Sequence, residues 1–283
     1  MKPDDLSFRL RAPRAAAGWS ILVPREPLLG AWHVPPAWLD ALQDDLDESG
    51  RREVSRFMLG GIHSASAHAE RRFAAAARSQ AEPPHQEHLL HLVSDEERHA
   101  RAFAGFAEQA CGGLLRDRVV DLGTPRGGRA ASEALLFGRL LVTEEIIDAL
   151  DLAIAGDPAV HPRVRALHEA HHADEARHLA FGRIVVPELV IACERAEGAA
   201  AAEGVRRELA QTVRATWRAA FPAEPFARAG MPSPVASRDA AWAAGPLASL
   251  RRRVAQQRLL SLTARGVLLG DTCGTSTRDG GVA

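Results

Sequence analysis

With 283 residues, 35 Lys+Arg against 36 Asp+Glu and a formal net charge of −1, the chain is long enough for one large domain or two small ones. That balance gives nucleic acid or an anionic membrane no global charge to attract. No window holds 18 uninterrupted apolar residues, because Arg139 breaks the run from Leu135 to Val142 and Glu188 breaks that from Ile184 to Cys193, so no membrane-spanning helix is expected.

The first 36 residues are proline-rich, with Trp19, Ile21, Leu28 and Trp32 scattered among them, and read as an extended arm. A short acidic helix is expected from Trp38 to about Ser49, closing an N-terminal unit of residues 1–50. Four long helices then fill 51–197: Arg51 to Ala81, stopped by Pro83-Pro84; His85 to Ala110, stopped by Gly112-Gly113; Ala130 to Ala155; and Pro162 to Glu197, with Pro187 as a kink. They form two antiparallel hairpins. Residues 198–269 supply an Ala-rich helix from Glu203 to Ala220, a Pro/Gly-rich stretch and a last helix, all expected to pack on the bundle. From Gly270 onward the composition is that of a disordered tail. The fold class is therefore all-α, helped by abundant alanine. The opening Met1-Lys2-Pro3-Asp4-Asp5 lacks the apolar stretch of a secretory signal, and Cys111, Cys193 and Cys273 form no C-x-x-C pair. Both features suit a cytoplasmic protein and argue against a thiolate metal site. The chain has no tyrosine, which excludes a tyrosyl-radical mechanism.

The pattern D-E-x-R-H occurs twice, as Asp95-Glu96-Glu97-Arg98-His99 in the second long helix and Asp174-Glu175-Ala176-Arg177-His178 in the fourth. Glu and His three apart share a helix face about one turn apart, so a carboxylate oxygen and an imidazole nitrogen can reach one cation. One such pair on each hairpin is half of a dinuclear carboxylate site in a ferritin-like four-helix bundle, whose other two helices each add a glutamate. Residues equidistant from a hairpin turn face each other across it. Glu70 lies 12 residues before a turn centred near Glu82 and Glu96 lies 14 after it, so the two are level. On the third helix the adjacent Glu144 and Glu145 both reach the height of Glu175; as neighbours point about 100° apart, only one faces inward. Leu92, Val93, Phe103 and Phe106 surround the first motif, and Leu167, Leu179, Phe181 and Ile184 the second, apolar company in which unpaired charges would be costly.

The paired motifs resemble those of the ferritin-like diiron-carboxylate oxygenases over about Arg51 to Glu197. Within that superfamily, the extra histidine of His171-x3-Glu175-x2-His178 resembles the para-aminobenzoate N-oxygenase family, which adds a third imidazole to the cluster. The resemblance implies Glu70, Glu96, His99, Glu144, His171, Glu175 and His178 as ligands of two iron ions, with Glu145 and His172 as the alternatives to their neighbours. It also implies that Asp95, Arg98, Asp174 and Arg177 hold the histidines across the hairpins. The activity it implies is use of O2 to oxidise the amino group of a small, aromatic substrate to hydroxylamine, nitroso or nitro in bacterial specialised metabolism. C-H hydroxylation or desaturation is the alternative, and ferritin-type iron storage or ferroxidase activity ranks below both. No flavin, nicotinamide or iron-sulfur motif is visible, so an external reductase or ferredoxin is the expected electron donor, and a homodimer is a possible assembly.

Three lesser readings complete the sequence. His63, two turns before Glu70 on its face, reads as a partly buried structural histidine, with a place in the pocket lining as the alternative. The substrate pocket is expected beside the metals, lined by residues such as Ala67, Phe103, Phe137 and Leu141. Arg251, Arg252 and Arg253 read as a solvated face.

Overall fold

The computed structural model describes residues 33–42, 45–79, 86–116, 127–243 and 245–269, with the side chains of 79 and 86–89 excepted. The expected arm before residue 33 and the tail from 270 lie outside them. A short 3-10 helix, Pro36–Leu42, stands where a longer acidic helix was expected. The reason is local: the Asp47 carboxylate accepts the Gly50 amide at 2.7 Å, an N-cap that starts the next helix at Glu48.

Four long helices follow: α1 Glu48–Ser79, α2 Gln86–Cys111, α3 Arg129–Ala155 and α4 Pro162–Glu197. The sequence marks their ends. Gly112, at φ +77°, lies just past α2, and Pro162 occupies the first turn of α4, where the missing amide breaks no helical bond. The His161 ring accepts the Arg163 amide at 3.2 Å to complete that cap, and α4 continues through Pro187. At its far end Glu197 accepts the amides of Gly128 at 2.7 Å, Ala130 at 2.8 Å and Ala131 at 3.1 Å, capping the first turn of the antiparallel α3. Pairing of α1 with α2 and of α3 with α4 makes two hairpins. The backbones approach closely where Gly182 of α4 meets Leu141: a Cβ added there would lie 2.9 Å from Leu141 Cδ1 and 3.2 Å from Leu141 Cβ.

Helix α5, Ala199–Ala220, crosses back over α3, α4 and α1. The expected Pro/Gly-rich stretch contains two short helices, α6 Glu224–Arg228 and α7 Pro234–Ala243. The last helix is segmented: α8 Gly245–Arg253, a π-helical turn Val254–Leu259, and α9 Leu260–Ala264. One apolar core runs from Val34 and Trp38 through the bundle to Leu262 and Leu268, so the C-terminal helices share the bundle's core. Their joint is aromatic: Phe221 packs 5.9 Å from Trp38 and 5.2 Å from Trp242, ring centre to ring centre. The arginine run is not uniformly solvated, because the Arg251 guanidinium stacks 3.6 Å over Trp242. Ile184, expected in the apolar surround of the second motif, is instead exposed. Among the described residues there is no strand, and no helix is long and apolar enough to cross a membrane.

Candidate metal centre

The four long helices bring Glu70 (α1), Glu96 and His99 (α2), Glu144 (α3), and His171, Glu175 and His178 (α4) to one point in the bundle. Six of the seven are fully buried and His178 is 8% exposed. Glu70, His99 and His171 form one end, Glu96, Glu175 and His178 the other, and Glu144 reaches both Glu70 with Glu96 and His171 with Glu175. Glu175 lies at the centre, its Oε1 2.9 Å from His99 Nδ1 and its Oε2 2.7 Å from His178 Nδ1. His171 presents its other nitrogen, with Nε2 3.5 Å from Glu70 and from Glu175.

The duplicated motifs brace one another. His99 turns Nε2 outward to Asp174 of the opposite hairpin at 3.4 Å, and His178 turns Nε2 outward to Asp95 at 3.5 Å. Arg98 joins the two aspartates, donating to Asp95 at 2.7 Å and Asp174 at 2.9 Å, while Arg177 lies 3.6 Å from Asp95. Each histidine is thus held by the aspartate of the other copy, which leaves both Nδ1 atoms facing the centre.

Electrostatics show what the centre lacks. Burial pushes the Glu144 carboxyl well above its usual range, reinforced by the charges of Glu175 and Glu70. Burial opposes charge on His178 too, yet Glu175 and Asp95 outweigh it and push its pKa up to about 10. Both oxygens of Glu70, of Glu96 and of Glu144 are buried without a hydrogen-bond partner. Buried carboxylates that no donor satisfies are costly unless a cation answers them. Four carboxylates with three neutral imidazoles would be balanced by two divalent cations, and an oxygen and nitrogen donor set without sulfur suits iron.

A family model described as "P-aminobenzoate N-oxygenase AurF" matches residues 32–264. The chain belongs to that family. Membership makes it an oxidoreductase of the non-haem diiron N-oxygenase kind. No curated protein and no solved structure matches the chain.

The structure separates the two pairs of neighbours that the sequence left open. Glu145 turns away from the centre and takes Arg183 at 2.6 and 2.8 Å, with Arg258 at 3.4 Å, while Glu144 points in. His172 is 40% exposed and bonds Asp148, while His171 points in. In this AurF-family chain Asp148 and Asp151 are buried polar residues that the motif reading missed. Arg258 binds Asp148 at 2.6 Å, and Asp151 accepts His171 Nδ1 at 2.6 Å. Their spacing was a usable signal, since they follow Glu144 by four and seven residues on its own helix face.

A cavity of about 280 Å³ lies between α1, α3 and α5, beside the helix edges that carry Glu70 and Glu144. Ser66, Phe73, Leu136, Thr143, Ile147 and Thr216 are among its walls, and Arg72 and Arg139 also border it. None of Ala67, Phe103, Phe137 and Leu141, the residues expected around a substrate, lines this cavity. Phe103 is fully buried and packs on the His171 ring at 4.8 Å, and Ala67 and Leu141 are spent in the apolar core. The gap opens instead between α1 and α3, which belong to different hairpins, and α5 roofs it.

Proposed function

We propose that Glu70, Glu96, His99, Glu144, His171, Glu175 and His178 hold two iron ions, and that the chain oxidises the amino group of a small aromatic amine seated in the cavity between α1, α3 and α5. The single observation behind this reading is the convergence of these seven buried side chains, in an AurF-family chain, with three of their carboxylates lacking any protein donor. Bound iron supplies the capacity to bind and reduce O2. Inserting one oxygen atom into an N-H bond consumes one O2, two electrons and two protons and releases one water.

The chain's own residues select and shelter the substrate. Leu136, Ile147 and Phe73 give an aryl ring an apolar bed and exclude water. The hydroxyls of Thr143 and Thr216, 3.3 Å apart, and that of Ser66 offer hydrogen bonds to an amine, and Arg72 brings positive charge suited to an acidic ring substituent. Electrons come from a separate reductase or ferredoxin, and a cytoplasmic setting fits Cys111 and Cys193, the free cysteines among the described residues. Bacterial specialised metabolism is the setting in which such a product finds use.

The test is metal analysis joined to product analysis. Reduced, iron-supplied protein is expected to hold about two irons per chain and to convert para-aminobenzoate or another aminobenzoate to hydroxylamine, nitroso or nitro products. The double variant His99→Ala with His178→Ala is expected to lose both ions. Retention of both ions by that variant overturns the metal assignment. An iron-loaded wild type that oxidises no arylamine overturns N-oxygenation while leaving the centre standing.

A further inference from the structure

Behind His171 the bundle contains a second buried polar system that the D-E-x-R-H motifs do not account for. His171 Nδ1 meets Asp151 Oδ2 at 2.6 Å, and the other oxygen of the same carboxylate meets His168 Nδ1 at 2.6 Å. His168 Nε2 then meets His63 Nε2 at 3.1 Å. The side chains of His168, His171 and Asp151 are at most 1% exposed, and His63 is fully buried. The chain of contacts passes from α4 to α3, back to α4 one turn earlier, and on to α1.

Hydrogen-bond logic sets the ring tautomers. An ionised carboxylate only accepts, so Asp151 requires a proton on Nδ1 of both His171 and His168. His171 then keeps the lone pair of Nε2, the atom that faces Glu70 and Glu175. With its ring proton on Nδ1, His168 likewise presents a lone pair at Nε2, to which His63 at 3.1 Å donates from its own Nε2. His63 Nδ1 is left as a lone pair, buried with no hydrogen bond, and the ring lies 5.7 Å from both Phe103 and Phe106. Burial holds His63 well below its ordinary pKa, which agrees with a neutral ring.

We infer that Asp151, His168 and His63 are positioning residues that fix the tautomer and direction of His171, with His63 on α1 acting through two intermediaries. The inference rests on the reading of His171 as an iron ligand. It assigns His63 a role other than filling space: one N-H donor at the end of the chain holds His168, which holds Asp151, which aims His171. A carboxylate behind a ligating imidazole raises its basicity and holds its orientation, and loss of such support lowers metal affinity by about 10-fold to 100-fold.

The experiment is a titration of metal-free wild type and variants with Co2+, whose visible absorption reports each ion, repeated with Fe2+ under anaerobic conditions. Asp151→Asn is expected to weaken one ion by about 10-fold to 100-fold and to leave the other, at the Glu96, Glu175 and His178 end, at wild-type affinity. His63→Gln keeps an amide N-H donor and is expected to bind both ions as wild type does. His63→Leu fills the space without a donor and is expected to weaken the same ion as Asp151→Asn, in the same direction and by less. If His63→Leu and His63→Gln behave alike, His63 is packing and the chain does not extend to α1. The His63 pair decides the matter even if Asp151→Asn fails to fold. His171→Gln separates the inference from the reading beneath it. If it binds both ions normally, His171 is not a ligand and both fall. If it weakens one ion while Asp151→Asn and His63→Leu do not, the ligand reading survives and the positioning chain is refuted.

Discussion

The brace between the two motifs makes a quantitative prediction about Asp174→Asn. The substitution keeps the size of the side chain and one acceptor oxygen but removes the charge that meets Arg98 at 2.9 Å and His99 at 3.4 Å. Burial works to raise the Asp174 pKa, and the hydrogen bonds from His99 and Arg98 outweigh it, lowering it from 3.8 to about 2. At about 1.4 kcal/mol per tenfold change in proton affinity, that drop bounds the stabilisation at roughly 2.4 kcal/mol. The side chain is 19% exposed, and solvent screening reduces the expected value to about 1 to 1.5 kcal/mol. The sign follows from the depressed folded value. The stabilisation is fully present above the unfolded pKa of about 4 and is lost as the pH falls through about 2. Urea unfolding of metal-free wild type and Asp174→Asn at several pH values between 7 and 3 is the assay. The variant is expected to be less stable at pH 7 and the gap to narrow by about half at pH 3. A gap that stays constant over that range would show that the aspartate acts by shape and not by charge, and the electrostatic account of the brace would be refuted.

Glu144→Gln and Glu145→Gln should part company: the first is expected to lower iron content per chain, while the second keeps both ions, weakens the tie to Arg183 of α4 and loosens the C-terminal helices through Arg258, as metal analysis and limited proteolysis would report. Gly182→Ala is expected to destabilise the protein by about 0.5 to 2 kcal/mol, because overpacking against Leu141 at about 1 to 3 kcal/mol exceeds the helix gain of about 0.5 to 1. Gly204→Ala, in α5 with no atom within 4 Å of the added carbon, should stabilise by about that smaller amount, so thermal melts must move in opposite directions. Ile147→Trp in the cavity wall should raise KM for an arylamine with iron content unchanged, and an unaltered KM would place the substrate elsewhere.

What could be read from the chain was local and periodic. Glu70 was found by its height relative to Glu96, and the histidines by their spacing, because helix geometry fixes height and face from residue number alone. The choice between Glu144 and Glu145 was beyond that reasoning. Glu145 is held outward by Arg183 of α4 and by Arg258, 113 residues away, whose approach depends on the path of the C-terminal helices. The cavity between α1, α3 and α5 was not legible for a related reason: its roof, α5, carries small residues whose docking position no spacing rule predicts. His172 and His171 look alike in sequence, and the aspartates of another helix mark which one turns inward, Asp151 taking His171 and Asp148 taking His172.

The π-helical turn at Val254–Leu259 inserts one residue more than an α-helix would hold. The buried apolar residues of this segment, Leu247, Leu250, Val254, Leu259 and Leu262, are separated by steps of 3, 4, 5 and 3, and the step of 5 spans the widened turn. An α-helix of the same sequence would swing everything after that turn by about 100° and carry Leu259 and Leu262 off the core. The widened turn therefore works as a phase shifter. It lets Arg258 reach Asp148 and Glu145 from the same helix whose next turns stay seated on the bundle. Removing one residue, Gln256 for example, would turn the step of 5 into a step of 4, so that an unbroken α-helix would keep Leu259 and Leu262 on the core face without the widened turn.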